Sequence, residues 1–457
     1  MGLIHSPSIV SDGLVLALDA QNSRSYGGSG TTWTDISYRG NNGTLTNGPT
    51  FEPGGPFAGS TGGSIYFDGT GDYLRVASNA ALGYGTGDFT IEGWFYLTGT
   101  TGQGVAQGEQ GIIGSNTVMA SRFTVRIQGN PKKMSWWLNG SSNNVVGTTS
   151  IQQNTWYHFA LVRSGSSTNN VKLYLNGVLE SQGTSTYDVP ADDHVIGRVY
   201  TDLDSEYWNG YISNLRVVKG TALYTSAFTP PTKPLTPVSG TSLLTCQGGV
   251  IVDNSSNKFS ITKNGDARAI QSASIKLDGT NDFGEVVRSN DFDFGTGNLT
   301  MESWVYITAY DAEATVLVYK TQSSGSAGNA CGNSLDASGL LYMSASDNTT
   351  YQVNVSGGTV TLGRWHHICM TRSGSTWTCY LNATQVSTAT WAGSVSHVTT
   401  GTFGGIGIGA YTSAYGGDAG RYSMNGNISN VRIYKGKALT ASEVQRNFNA
   451  LRNRFGI

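Results

Sequence analysis

Phe89-Thr-Ile-Glu-Gly-Trp-Phe-Tyr-Leu97 decides the fold class of this chain. In an extended chain successive side chains point to opposite faces, so Phe89, Ile91, Phe95 and Leu97 share one side and Thr90, Glu92, Trp94 and Tyr96 the other. Neither side lacks large residues. Such a strand is covered on both faces, or one face borders a groove.

The same text returns further along. Gly85-Thr-Gly-Asp-Phe-Thr-Ile-Glu-Gly-Trp94 reappears as Gly295-Thr-Gly-Asn-Leu-Thr-Met-Glu-Ser-Trp304, and Ser64-Ile-Tyr-Phe-Asp-Gly-Thr-Gly-Asp-Tyr73 as Ser274-Ile-Lys-Leu-Asp-Gly-Thr-Asn-Asp-Phe283. Trp156-Tyr-His-Phe-Ala-Leu-Val-Arg-Ser-Gly165 pairs with Trp365-His-His-Ile-Cys-Met-Thr-Arg-Ser-Gly374, and Leu173-Tyr-Leu-Asn176 with Cys379-Tyr-Leu-Asn382. Asn209-Gly-Tyr-Ile-Ser-Asn-Leu-Arg-Val217 matches Asn425-Gly-Asn-Ile-Ser-Asn-Val-Arg-Ile433. Collinear matches at a nearly constant offset mean two homologous domains. Thr229-Pro-Pro-Thr-Lys-Pro-Leu-Thr-Pro237 between them reads as a semi-rigid connector that spaces them. The boundary is expected near Pro237, giving domains 1–237 and 238–457.

Turn chemistry supports an antiparallel arrangement. Asn176-Gly177 closes a hairpin, and Trp136-Trp-Leu-Asn139-Gly140 reads as another, with Trp136 and Trp137 on opposite faces. Many short strands between Gly and Asn turns make two antiparallel β-sandwiches. One helix is expected over 441–455. Thr440-Ala-Ser-Glu443 is a capping box, Val444, Phe448, Leu451 and Phe455 follow at helical spacing, and Gly456 ends it. Its apolar stripe packs on its own sandwich or docks onto another subunit.

Composition narrows the function. Only 13% of residues are charged, the net charge is −2, and no basic run occurs, which excludes nucleic acid and an anionic membrane surface as partners. No apolar run approaches the roughly 18 residues of a membrane helix. The run Leu14 to Leu18 lies between Asp12 and Asp19 with no basic region before it, so it reads as a strand and not as a signal peptide. Met1 to Ser6 fits only the loose myristoylation pattern. Cys246, Cys331, Cys369 and Cys379 form no CxxC or zinc pattern. Cys369 and Cys379 lie on successive apolar runs, where a cross-strand bridge or two buried thiols would both fit.

The series FDGTGDYLRV, FTIEGWFY, NTWYHFALVRSG, VKLYLNG and NGYISNLRV resembles the laminin G-like branch of the concanavalin A-like lectin and glucanase superfamily, over most of both copies. The resemblance implies tandem two-sheet jelly-roll sandwiches. The opening GLVLALDAQNSRSYGGSGTTWTDIS, the junction FTPPTKPLTPVSGTSLLTCQ and the ending ALTASEVQRNFNALRNRFGI are similar to virion proteins of tailed phages infecting marine bacteria. They imply a protein on a virion surface, made in the host cytoplasm and multi-copy or homo-oligomeric, decorating capsid, neck or tail or forming part of a fibre.

Catalytic chemistry is not legible. Glucanases of this superfamily carry alternating strand carboxylates about 5 Å apart, whereas Glu92 and Glu302 each stand alone. No nucleophile elbow is present, and the chain reads as a non-enzyme. His158 and His367 are single imidazoles on alternating strands, expected to be packed structurally. Calcium has one candidate set, Asp202, Asp204 and Glu206, which the second copy lacks. Sugar stacking has several candidates: Trp33, Tyr200, Tyr207 and Trp208 in the first copy, Trp391, Tyr411 and Tyr415 in the second. These loop aromatics differ between copies, so the two domains are expected to differ in ligand. Sequons such as Asn42-Gly-Thr44 are chance matches in an Asn- and Thr-rich chain. The functions left are virion decoration, with Met1 to Ser11 and the C-terminal helix as docking elements, or adhesion to a host polysaccharide. A glycan hydrolase is a distant alternative.

Overall fold

The computed structural model describes residues 8–57, 62–99, 109–116, 123–138, 144–198, 206–311, 313–320, 330–347, 350–395, 405–411 and 422–457. They form antiparallel sheets and one C-terminal helix, in two compact units. No helix among them is long and apolar enough to cross a membrane.

One unit consists of Gly54–Gln271. Its first sheet runs Val178–Gly183, Val171–Leu175, Trp156–Arg163, Phe89–Leu97, Asn209–Lys219, Ser64–Asp68 and Arg268–Ile270, with Thr241–Thr245 also on Asn209–Lys219. Its second runs Asn144–Val146, Lys133–Leu138, Phe123–Gln128, Gln110–Ser115, His194–Ile196, Tyr73–Val76 and Ile261–Asn264. Between them lies a core of residues including Ile91, Phe95, Val125, Trp136, Phe159 and Trp208. Phe89–Leu97 is buried along its whole length, so the strand read as covered on both faces is so.

The other unit is built from Met1–Pro53 and Ser272–Ile457. One sheet runs Thr384–Thr390, Thr376–Leu381, Trp365–Ser373, Leu299–Ile307, Asn425–Lys435, Ser274–Asp278 and Thr50–Glu52, with Leu14–Asp19 on Asn425–Lys435. The other runs Thr32–Trp33, Gly43–Thr46, Phe283–Val287, Gly405–Ile408, Glu313–Lys320, Ala330–Asp336, Leu340–Ser346 and Tyr351–Thr359. The boundary expected near Pro237 is therefore corrected. Residues 14–52 pair with strands of the second copy, and 241–270 with strands of the first, because each body leaves strand edges whose N–H and C=O groups need partners.

The connector is corrected too. Phe228 donates its N–H to Gly177 O at 3.0 Å, Leu235 donates to Asn214 Oδ1 at 3.0 Å, and Leu235 packs with Trp94. Apolar side chains at 224, 228 and 235 thus bury the outer sheet face of their own unit. In the second copy the helix, which ends at Leu451 and not at 455, does the same together with the 3₁₀ turn Arg452–Phe455, setting Phe448 and Phe455 against Trp304 and Trp365. The capping box is formed, and Gly456 takes the left-handed conformation (φ 72°) that ends the following 3₁₀ turn. The two covers are anchored alike. Thr90 Oγ1 donates to Thr221 O at 2.9 Å and accepts from Leu223 N–H at 2.9 Å; Thr300 Oγ1 bonds Lys437 O at 3.0 Å and Leu439 N–H at 2.9 Å.

Repeated residues have local jobs. Asn176 (φ 48°) and Gly177 (φ 78°) make the turn joining Val171–Leu175 to Val178–Gly183. Arg163 is fully buried and donates to the carbonyls of Gly87, Tyr187 and Gly85; Arg372 does so to Gly374, Gly295 and Gly393. All four cysteines are buried and free. Cys369 lies opposite Tyr380, so Cys379, one residue earlier, points to the other face, and the cross-strand bridge is ruled out by register.

Candidate functional site

The second sheet of the Gly54–Gln271 unit turns Phe123, Val125, Ile127, Met134, Trp136 and Leu138 to the core. Period two then sends Thr124, Arg126, Ser135 and Trp137 to the other face. Register lines them up: Trp137 opposite Thr124, Ser135 opposite Arg126, Arg126 opposite Gly111, and Thr124 opposite Gly114. Gly114 faces Val195, which faces Arg75. The central strand Gln110–Ser115 thus presents glycines where its neighbours present side chains.

Arg126 organises one flank. It is 1% exposed, its Nη1 lies 2.5 Å from Glu109 Oε2, its Nη2 donates to Gln128 Oε1 at 2.9 Å, and its guanidinium lies 5.0 Å from the Trp137 ring centre. Beside it, burial pushes the Lys132 ammonium below its ordinary pKa, against the pull of Glu109. Arg198 organises the other flank. Its guanidinium sits 3.9 Å over the Tyr73 ring and donates to Asn116 Oδ1 at 2.7 Å, and Tyr207 lies 6.5 Å from Tyr73. The main chain of Glu206 accepts from Gly111 N–H at 3.2 Å, which places Glu206 beside this strand. Arg126, Thr124, Ser135, Gly111 and Gly114 are themselves buried, so what this face offers a ligand is the half-buried rings of Trp137, Tyr73 and Tyr207, which can stack on apolar ring faces.

The sequence-selected residues fare differently. Tyr207 and Glu206 stand at this face, Tyr207 half-buried and Glu206 buried. Tyr200, Asp202, Asp204 and Tyr415 lie outside the described residues. Trp33 (1% exposed) and Trp208 (0%) are core residues whose rings no sugar can reach, which removes both as stacking platforms. Trp391 is half-buried and stacked on Trp377 at 6.0 Å, and Tyr411 packs edge-on against Tyr422 at 5.1 Å. Arg126, Trp137, Tyr73 and Arg198 were missed. Their signal was the alternation in Phe123-Thr-Val-Arg-Ile-Gln128, an apolar face opposite Thr, Arg and Gln.

In the other unit the corresponding sheet offers Ser334 opposite Tyr342, Gly332 opposite Ser344, and Ser344 opposite Asn354. No arginine or tryptophan stands among these, so the two faces have different chemistry.

The repeated carboxylates are locked away. Glu92 lies 3.3 Å from His158 Nε2, accepts from Arg216 Nε at 3.0 Å and from the Tyr224 hydroxyl at 2.9 Å. Glu302 lies 3.1 Å from His367 Nε2 and accepts from Arg432 at 2.7 Å and Asn447 at 2.9 Å. Burial pushes both carboxyls up, but the guanidinium and imidazole partners overcome it, holding Glu92 below the usual range and Glu302 down to about 2. His158 and His367 are packed inside, each against its glutamate. His366 points elsewhere, bonding Thr361.

Asp68, Asp72 and Asp266 bring carboxylate oxygens within 4.8 Å of one another. Asp72 Oδ1 already accepts from Asp266 and Ala267 N–H (2.6 and 2.9 Å), and Oδ2 from Asp68 N–H at 3.1 Å. Three carboxylates, the central one spent on backbone, fall short of the six to eight oxygens calcium takes, and the set fits a turn lock instead.

The family model described as the concanavalin A-like lectin/glucanases superfamily matches residues 68–224 and 278–445. Among solved structures, mouse laminin alpha1 chain domains LG4-5 are 10% identical, the match covering 86% of this chain and 92% of that one at a TM-score of 0.30. The CBM40 of Ruminococcus gnavus IT-sialidase is 14% identical over 38% of this chain and 94% of that one, TM-score 0.32. A SAP-like pentraxin from Limulus polyphemus is 16% identical over 44% and 93%, TM-score 0.31. No curated protein matches.

Proposed function

The chain belongs to the concanavalin A-like lectin/glucanases superfamily, matched in both of its copies, and from that premise we propose that it is a non-enzymatic glycan-binding protein displayed in many copies on a virion surface. The observation that carries the glycan reading is the half-buried rings of Trp137, Tyr73 and Tyr207 on the outer face of this sheet, held against the buried guanidinium groups of Arg126 and Arg198. Its ligand is a hydroxyl-rich polysaccharide of the host surface, bound weakly per site and strengthened by copy number. The virion setting is supported by the opening, junction and ending that resemble phage proteins. Against catalysis stand Glu92 and Glu302, each held by arginine and histidine beneath a cover.

Docking of this chain onto a particle through Met1 to Ser11 and the helix has less support. Val10 N–H bonds Asn447 Oδ1 at 2.8 Å and Arg446 Nε donates to Ser8 O at 2.6 Å, so the described part of that segment is occupied by the helix itself. The test is a polysaccharide binding screen with the full chain, alongside mass spectrometry of purified particles. Binding to one glycan class and many copies per particle are expected. No glycan binding would end the lectin reading, and absence from particles would end the virion reading.

A further inference from the structure

Buried arginines in this protein come with acceptors. Arg126, Arg216, Arg432 and Arg454 each lie against a carboxylate, those of Glu109, Glu92, Glu302 and Asp19. Arg163 and Arg372 donate to backbone carbonyls from every edge of the guanidinium. Arg198 is the exception among the described residues. It is 8% exposed, yet it forms one hydrogen bond, Nη2 to Asn116 Oδ1 at 2.7 Å, and no ion pair. Its Nε is buried without a partner, whereas Nη1, bonded to no described residue, keeps access to solvent. Asn116 also bonds Asp193, but that carboxylate is spent on Arg75 Nε and Ser78 N–H, both at 2.7 Å. What remains for Arg198 is the ring of Tyr73, 3.9 Å away.

The fold does not require this cation. Gly197 and Gly409 hold equivalent places in the two copies: their N–H groups donate to Ile112 O and Val316 O at 3.0 Å, and their carbonyls accept from Trp208 and Met424. The residue after each is Arg198 in the first copy and Ala410 in the second, both buried, and Tyr73 is matched by Phe283. The arginines that hold the sandwich together, Arg163 with Arg372 and Arg216 with Arg432, occur in both copies. A buried guanidinium without an anion is costly, and an anion that reaches it recovers that cost. Arg126, on the other flank, already has Glu109 and leaves no charge for a ligand.

Resting on the glycan reading above, we propose that the polysaccharide bound by this face is an acidic one, with a sugar carboxylate on Arg198 and the sugar ring beside Tyr73 and Tyr207. A carboxylate is planar and accepts from guanidinium N–H groups in the geometry they present. The second unit, with Ala410 at the equivalent place, has no such preference.

The test measures binding of the full chain, in buffer with a chelator, to polygalacturonate, alginate and hyaluronate, and to the same polymers with their carboxylates reduced to alcohols. At least one acidic polymer should bind about tenfold more tightly than its reduced form. Arg198→Gln keeps an N–H donor for Asn116 and removes the charge, so that preference should disappear in the folded variant. Reduced polymers bound as tightly as acidic ones would overturn the proposal and leave the glycan reading standing. Binding of no polymer in either form would end the acidic ligand, and the wider polysaccharide screen then decides the glycan reading. A preference that survives Arg198→Gln would also overturn the assignment. Should that variant not fold, Asn116→Asp gives the guanidinium a carboxylate of its own; the preference should again disappear, and its persistence refutes the role of Arg198.

Discussion

Glu302 and Arg432 face each other across Leu299–Ile307 and Asn425–Lys435, with Oε1 2.7 Å from Nη1 and side chains 1% and 3% exposed. Glu92 and Arg216 hold the same register in the first copy. The pair ties the central strands of a sheet together beneath a cover, where water cannot substitute for a missing partner.

Removing Arg432 should therefore cost more than an ordinary surface change. Arg432→Ala leaves Glu302 charged and buried, a loss of about 3–5 kcal/mol in urea denaturation. The apolar double replacement Glu302→Leu with Arg432→Met should recover most of that. A loss below about 1 kcal/mol for Arg432→Ala would show that the carboxylate finds other partners.

Acid should weaken the fold through two histidines. Burial pushes His194 and His366 down to about 4 from 6.5, both side chains being inside the protein. The unfolded chain takes up these protons first, so the stability is present above pH 6.5 and is lost as pH falls to about 4, about 3 kcal/mol for each. Asp72 works in the opposite direction. Burial raises it from 3.8 to about 6, so its share is lost as pH rises through 6 and regained toward 3.8. The melting temperature should still fall between pH 7 and 4.5, and fall further in Asp72→Asn. A flat profile would contradict the neutral buried imidazoles.

Two tryptophans should separate binding from stability. Trp208→Ala empties a core position and should cost about 3–5 kcal/mol. Trp137→Ala, on the polar face beside Arg126, should leave most stability intact and weaken polysaccharide binding about tenfold, equivalent to about 1.4 kcal/mol. Unchanged binding by a folded Trp137→Ala protein would move the ligand site elsewhere.

The thiols should be silent. Burial pushes Cys246, Cys331 and Cys379 up to about 12, and Cys369 well above its ordinary value, with all four inside. A thiol reagent should titrate them only after denaturation, and reductant should leave the melting temperature where it was. Fewer than four thiols released on unfolding would reveal a bridge.

The resemblance of Phe89–Leu97 to Leu299–Ile307 was enough to foresee two sandwiches, because period two and turn residues are written locally. The same holds for the turn at Asn176-Gly177 and the capping box at Thr440. The aromatic candidates were less legible. Trp33 and Trp208 read as stacking candidates, yet each points inward, since the residues next to a side chain in a two-residue strand or a connection do not say which way it turns. Arg126 stands on the polar side of an alternating strand, Phe123–Gln128, but alternation alone does not say that an arginine is buried against a tryptophan.

By itself the sequence determined the strands, their turns, the helix with its caps, and the fact that one pattern occurs twice. The tertiary structure alone decided which strands close which sandwich, that the proline-rich stretch lies on a sheet face, and that Glu92 and Glu302 find arginine and histidine partners. Local conformation follows from neighbouring side chains. Strand pairing uses backbone groups that are the same at every residue, so partners far apart in the chain are selected only by the edge left open and the core left to fill.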